Sequence, residues 1–203
     1  QSFGFAEDDF CHAVTGDPEG NVYVSWKVAN DIEHSRNANS LGFSEHYGDS
    51  IAASCGVAFV SKLTNSGSKE RLTSLYNSGT DGAMTDIVFA NDYLYVTGYW
   101  RNNIYSQPAD QDYNARRNST GTDNNWHNDK TDGFVWRLSP GLWRRQLFFI
   151  AGMGEVRPDA LTVDAGGNVF VAGRFSTGAI TVGQTELSTA MSWSFFAARL
   201  DAT

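Results

Sequence analysis

Residues 160–171, ALTVDAGGNVFV, contain two short apolar runs separated by a turn sequence. Valine and phenylalanine alternate after the turn, as expected for a strand that buries one face. The turn combines Asp164 with Gly166-Gly167-Asn168. Glycine and asparagine tolerate positive φ angles, and an aspartate side chain can bond the nearby backbone. The stretch therefore predicts a β-hairpin.

The hairpin is one of three internal copies. Residues 13–24, AVTGDPEGNVYV, match it closely, and residues 85–98, TDIVFANDYLYVTG, form a looser copy without the Asp and Gly-Asn turn. After an insertion, each copy is followed by a third predicted strand that ends in a basic residue and a leucine. The first two copies are then followed by a fourth predicted strand. The third strands are at 58–63, 133–138 and 195–200, and the fourth strands at 71–76 and 143–150. Such a period indicates a repeat protein.

These repeats resemble the blades of the bacterial secreted β-propeller repeat family, which is often described as seven-bladed. Residues 159–200 are the most similar, including GAITVG at 178–183. The resemblance implies an all-β fold and secretion, but its motif consists of turn and core residues and implies little about chemistry. We expect one domain, 1–203, of about three four-stranded antiparallel blades. Their expected bounds are about 9–80, 81–157 and 158–203.

The ends of the sequence do not match the repeat. Gln1–Ala6 precedes the first repeat as a spare fourth strand, and the third repeat stops after its third strand. We expect residues 1–6 of the same or a neighbouring chain to complete the last blade. Propellers typically have about four to eight blades. Three alternatives therefore stay open: a segment of a longer propeller, a six-bladed ring of two chains, and a head-to-tail polymer formed by strand addition.

The net charge, the two cysteines and a glycosylation sequon indicate which partners and which cellular location this protein has. The net charge of −8 argues against a nucleic-acid partner, which would need clustered cations. No apolar run approaches the about 20 residues of a membrane helix, so we expect no membrane insertion. A Cys11–Cys55 disulfide and glycosylation at Asn118, in Asn118-Ser119-Thr120, would both fit an extracellular or cell-surface location. The alternative for the cysteines is two small buried side chains.

Candidate ligand residues are concentrated in the insertions. Trp100, Tyr113 and Trp126 could stack on sugar rings or, alternatively, cover a blade edge or a partner surface. The spacing of Asp110, Asp112 and Asn114 resembles the start of a calcium loop, but Ala115 and Gly121 replace the expected glycine and glutamate. No recognisable catalytic motif is present, so we expect no catalytic residues and no cofactor.

The sequence thus predicts a non-catalytic extracellular structural or adhesive protein that self-associates or joins a larger assembly or filament by strand exchange. A carbohydrate-binding, lectin-like propeller is the first alternative, and it would have a glycan as its partner. A polysaccharide-active glycoside hydrolase or lyase is the second alternative, because a site assembled across blades would leave no local motif.

Overall fold

The computed structural model describes residues 9–28, 45–47, 57–77, 82–101, 103–105, 117–118 and 130–201. These residues form strands joined by turns and irregular segments, so the predicted all-β class is confirmed. Within them there is no helix of the length and apolar character needed to span a membrane. The strands are β1 (Asp9–Gly16), β2 (Val22–Val28), β3 (Glu45–Tyr47), β4 (Val57–Leu63), β5 (Lys69–Asn77), β6 (Gly82–Ala90), β7 (Tyr93–Arg101), β8 (Asn103–Tyr105), β9 (Arg117–Asn118), β10 (Thr131–Leu138), β11 (Arg144–Gly152), β12 (Val156–Val163), β13 (Val169–Val182) and β14 (Thr185–Leu200).

The strands fall into three groups, which we call units. The first unit is β1-β2-β4-β5 and the second is β6-β7-β10-β11, each with antiparallel neighbours. The third unit is β12-β13-β14. Three short strands, β3, β8 and β9, extend the sheet of the first unit beyond β5.

The two closely matching turns form as the sequence predicts. Asp17 Oδ1 accepts a hydrogen bond from the Asn21 amide at 2.8 Å, and Asp164 Oδ1 accepts one from the Asn168 amide at 2.9 Å. The glycine before each asparagine has a φ angle near +80°, which favours a residue without a Cβ atom. The looser copy instead has a two-residue turn, with φ angles of +49° at Asn91 and +61° at Asp92.

A β-bulge occurs at the same place in the first hairpin of every unit. The register shifts between Cys11 and Ala13, between Met84 and Asp86, and between Pro158 and Ala160. In each unit, one residue of the first strand therefore has no pairing partner in the second strand. Such a bulge bends the strand and increases its local twist. The three hairpins therefore share this irregularity at equivalent positions.

The units pack face to face through two apolar cores. Tyr23 and Val60 of the first unit share a core with Val96 and Phe134 of the second. On its other face, the second unit contributes Tyr95 to a core with the third unit. Full burial of one such side chain stabilises the fold by about 1.5–3 kcal/mol. The second unit is consequently covered on both faces.

The expected division into about three four-stranded antiparallel blades stays a prediction. The third unit has three described strands, and β13 extends far enough to pair with β11 at Ile180–Val182. The second and third units are thereby hydrogen-bonded into one sheet. A Cβ atom at Gly152 would lie 2.1 Å from the carbonyl oxygen of Ala179, so glycine is needed where β11 and β13 meet.

Candidate functional site: the edge and outer face of the third unit

Trp100, a predicted sugar contact, is a core residue. It lies in β7 with 1% of its surface exposed, and its ring centroid is 5.9 Å from that of Phe134 and 5.5 Å from that of Phe149. Stacking on a sugar needs an exposed aromatic face, so the prediction for Trp100 was wrong. Strand alternation places Trp100 on the same face of β7 as Leu94 and Val96, which belong to the same core. Tyr113 and Trp126 lie outside the described residues.

The other predicted ligand and modification residues remain untested. Asp110, Asp112 and Asn114 lie outside the described ranges, and within those ranges no group of three or more His, Cys, Asp or Glu side chains could hold a metal ion. Cys11 is exposed on β1, whereas Cys55 is outside the described residues, so their disulfide stays a prediction. Asn118 lies in β9, where its backbone pairs with Asn103.

His12 occupies the bulge of the first unit, and Asp159 occupies the bulge of the third. His12 and Asp159 therefore occupy equivalent positions in the first strands of their units. Burial, and to a lesser extent the positive charge of Lys27, lowers the pKa of His12. The imidazole is therefore neutral at pH 7.

Carboxylates near the junction of the second and third units take part in contacts that hold the fold together. Glu155 has one oxygen 3.6 Å from Arg101 Nη2 and the other 3.6 Å from Arg157 Nη2. Buried Asp132 accepts a hydrogen bond from the Gly152 amide through Oδ1 at 3.3 Å. Glu155 connects the start of β12 to β7 of the second unit, and Asp132 connects β10 to β11 within the second unit, so both carboxylates have a structural role.

The open edge of β14 is the feature best suited to an interaction. β14 is 16 residues long and, among the described strands, pairs only with β13. The equivalent third strands are paired on both edges, β4 with β2 and β5, and β10 with β7 and β11. An exposed strand edge presents backbone N–H and C=O groups that can pair with another chain.

Exposed apolar side chains accompany this edge. Phe195 is 90% exposed, and Met191 and Trp193 are also exposed. The Arg174 guanidinium lies 5.5 Å from the Trp193 ring centroid. Apolar groups clustered in this way on a surface often mark an interaction site. The sequence analysis missed Phe195, although the position was unusual: the other two copies have Ala58 and Gly133 there.

Comparison with protein-family models gives no match to this chain. Comparison with the curated proteins finds no significant relative.

Proposed function

We propose that this chain is a β-propeller-type repeat protein that serves as a non-catalytic structural or adhesive subunit of an extracellular assembly. Neighbouring subunits are joined by strand addition at the edge of β14. The meander order of the strands in the first two units and the face-to-face packing of all three units support the propeller-type arrangement.

The observation that carries this proposal is the contrast between β14 and the equivalent strands. β4 and β10 each have a fourth strand on the outer side, β5 and β11, and β14 has no such partner among the described strands. The sequence of Gln1–Ala6 has the alternating apolar pattern typical of a strand, and a strand conformation would place Phe3 and Phe5 on the same face. Residues 1–6 of a neighbouring copy would supply the missing strand by β-augmentation.

The order of elements along the chain supports the same donor. β11 ends at Gly152 and β12 begins at Val156, so a fourth strand is followed within a few residues by the first strand of the next unit. Gln1–Ala6 stands in the same relation to β1, which begins at Asp9. A donated strand would therefore bring the first unit of the donor next to the third unit of the acceptor.

The extracellular setting is supported by Cys11, Cys55 and the sequon at Asn118, as argued from the sequence. Peptide mapping under non-reducing conditions tests the Cys11–Cys55 disulfide, and mass spectrometry of the native protein tests the glycan. An unmodified Asn118 together with two free thiols in the native protein would contradict this part of the proposal.

The experiment for strand addition compares the native mass of the intact chain with that of a variant lacking Gln1–Ala6, by light scattering and negative-stain imaging. We expect oligomers or fibres from the intact chain and monomers from the variant. The peptide QSFGFA should bind the variant in fluorescence anisotropy, whereas a control peptide with Phe3 and Phe5 replaced by aspartate should not. A monomeric intact chain, or an assembly that survives the deletion, contradicts strand addition.

A further inference from the structure

Strand register identifies equivalent positions in the three units. The last leucine of the third strand pairs with the same position of the second strand each time: Leu63 with Val22, Leu138 with Leu94, and Leu200 with Val169. The next residues of the second strands, Tyr23, Tyr95 and Phe170, are therefore equivalent. They pair with Lys62, Arg137 and Arg199, which are also equivalent and basic.

In the first two units, this tyrosine position faces the following unit. Tyr23 is buried, and its ring stacks on Phe89 of the second unit with the centroids 6.1 Å apart. Tyr95 is buried in the core that the second unit shares with the third. Phe170 is 40% exposed. The outer face of the third unit therefore carries, in the open, the type of residue that is buried at both internal junctions.

The first unit has the opposite face exposed. Val14, Ile87 and Leu161 occupy equivalent positions in the first strands of the three units. Each pairs with a valine of the second strand, and that valine lies two residues after the residue that pairs with the last leucine of the third strand. Ile87 is buried against the first unit, and Leu161 is buried against the second. Val14 is 62% exposed. The face of β1 that carries Val14 is therefore exposed, whereas the equivalent faces of β6 and β12 are buried against the preceding unit.

One polar contact is matched as well. At the first junction, Thr15 Oγ1 accepts a hydrogen bond from the Phe89 amide at 3.2 Å. Thr162 is equivalent to Thr15, because Thr15 pairs with Tyr23 and Thr162 pairs with Phe170. Thr162 is exposed, so its hydroxyl is accessible to an amide of another unit.

We infer that the outer face of the third unit, formed by β12, β13 and β14, binds β1 of a second copy of this chain. The contact uses the same two sides of the units as the internal junctions, with β1 of one copy on the face that carries Phe170 and Phe195 of the next. Phe195 stands where the second unit has Gly133, so the two copies lie farther apart at that position than the second and third units do. The contact uses two different surfaces, so it is head-to-tail and propagates unless a ring closes. This inference rests on the proposed function, and it adds a face-to-face contact to the strand addition.

Substitutions that leave the fold intact can test the contact. Phe195→Lys changes a 90% exposed side chain on the outer face, and Val14→Lys changes a largely exposed side chain on β1. Each should weaken self-association at least about 30-fold, the loss typical of a central apolar contact. Met153→Lys is the matched control, because Met153 is equally apolar and exposed but lies in the turn between β11 and β12. It should assemble like the unmodified chain.

Mixing the two variants reveals the polarity of the contact. The Phe195→Lys protein keeps an intact β1, and the Val14→Lys protein keeps an intact outer face. Their mixture should form a one-to-one dimer that does not grow, measured by analytical ultracentrifugation. Circular dichroism of each variant alone checks that the fold is retained.

The outcomes separate this inference from the proposed function. Unchanged assembly of the Phe195→Lys or the Val14→Lys variant, or no dimer on mixing, overturns the face contact. If deletion of Gln1–Ala6 still abolishes that assembly, the proposed function stands without the face contact. If the deletion has no effect but both lysine variants are monomeric, the face contact stands without strand addition. An intact chain that is monomeric at the highest concentration reached overturns both.

Discussion

Replacing Gly133 with alanine adds a methyl group at a close contact between the second and third units. The new Cβ atom would lie 2.5 Å from Pro158 Cγ, 2.7 Å from Pro158 Cδ and 3.3 Å from Val156 Cγ1. Ordinary contacts between carbon atoms are about 3.5–4.0 Å. The proline ring cannot rotate away, and pairing with Gly173 holds its backbone in β12. Overpacking of this kind costs about 1–3 kcal/mol of the free energy of unfolding.

The cost is measured by guanidinium denaturation followed by tryptophan fluorescence, at a dilution where the chain is monomeric. In thermal melts the midpoint should fall by about 2–4 °C for each kcal/mol. Phe195→Ala is the control, because Phe195 is the equivalent position in the third unit and is exposed. It should change stability by less than about 0.5 kcal/mol. A Gly133→Ala variant as stable as the unmodified chain would refute the reasoning. It would mean that the second and third units can move apart at this contact without a loss in the free energy of unfolding.

The remaining predictions concern the turns. Tyr23→Phe removes a hydrogen bond from the hydroxyl to Asp17 Oδ2 at 2.9 Å and should cost about 1 kcal/mol in chemical denaturation. An unchanged midpoint would contradict this role. For Asp17, burial raises the pKa, but hydrogen bonds from Asn21 and Tyr23 outweigh it, so that the pKa is lowered. For Asp164, hydrogen bonds from Asn168 outweigh the opposing effect of burial and lower the pKa. Because the pKa values of both carboxyl groups are lower in the folded chain than in the unfolded chain, the ionised carboxylates stabilise the fold. This contribution to the free energy of unfolding is complete above about pH 4 and is lost as the pH falls further. A pH series of denaturation midpoints should fall less steeply in acid for the Asp17→Asn and Asp164→Asn variants, and an unchanged slope would contradict the assignment. Asp92→Gly relieves a φ angle of +61° and should raise stability by about 1 kcal/mol in the same assay, and a loss of stability would mean that the side chain matters more than the strain.

The repeated strands could be predicted from the sequence because their signals are local. Alternating apolar residues, the Asp and Gly-Asn turns and the closing basic-leucine pair each depend on a few neighbouring residues. β4, β10 and β14 contain the three predicted third strands, and β5 and β11 overlap the two predicted fourth strands.

The candidate site could not be predicted in the same way, because exposure depends on which unit lies next to a residue. Phe170 resembles Tyr23 and Tyr95 in sequence, and only the stacking of units distinguishes a buried position from an open one. Trp100 was misassigned for the same reason, since an aromatic residue beside a polar insertion can belong to either the core or the surface. The pairing of β13 with β11 depends on Gly152 and on the length of β13, which no local pattern encodes.

The stacking of units also sets the order in which the molecule opens. Among the residues that the structure describes, the second unit is covered on both faces by apolar cores, whereas the first and third units each share a core with one neighbouring unit. Free energies of opening in such a linear array depend on nearest neighbours. In native-state hydrogen exchange, amides of β7 and β10 should therefore be the slowest to exchange. β1 and β14 should exchange through partial unfolding of the two ends, and docking of another copy would slow exchange at those ends most.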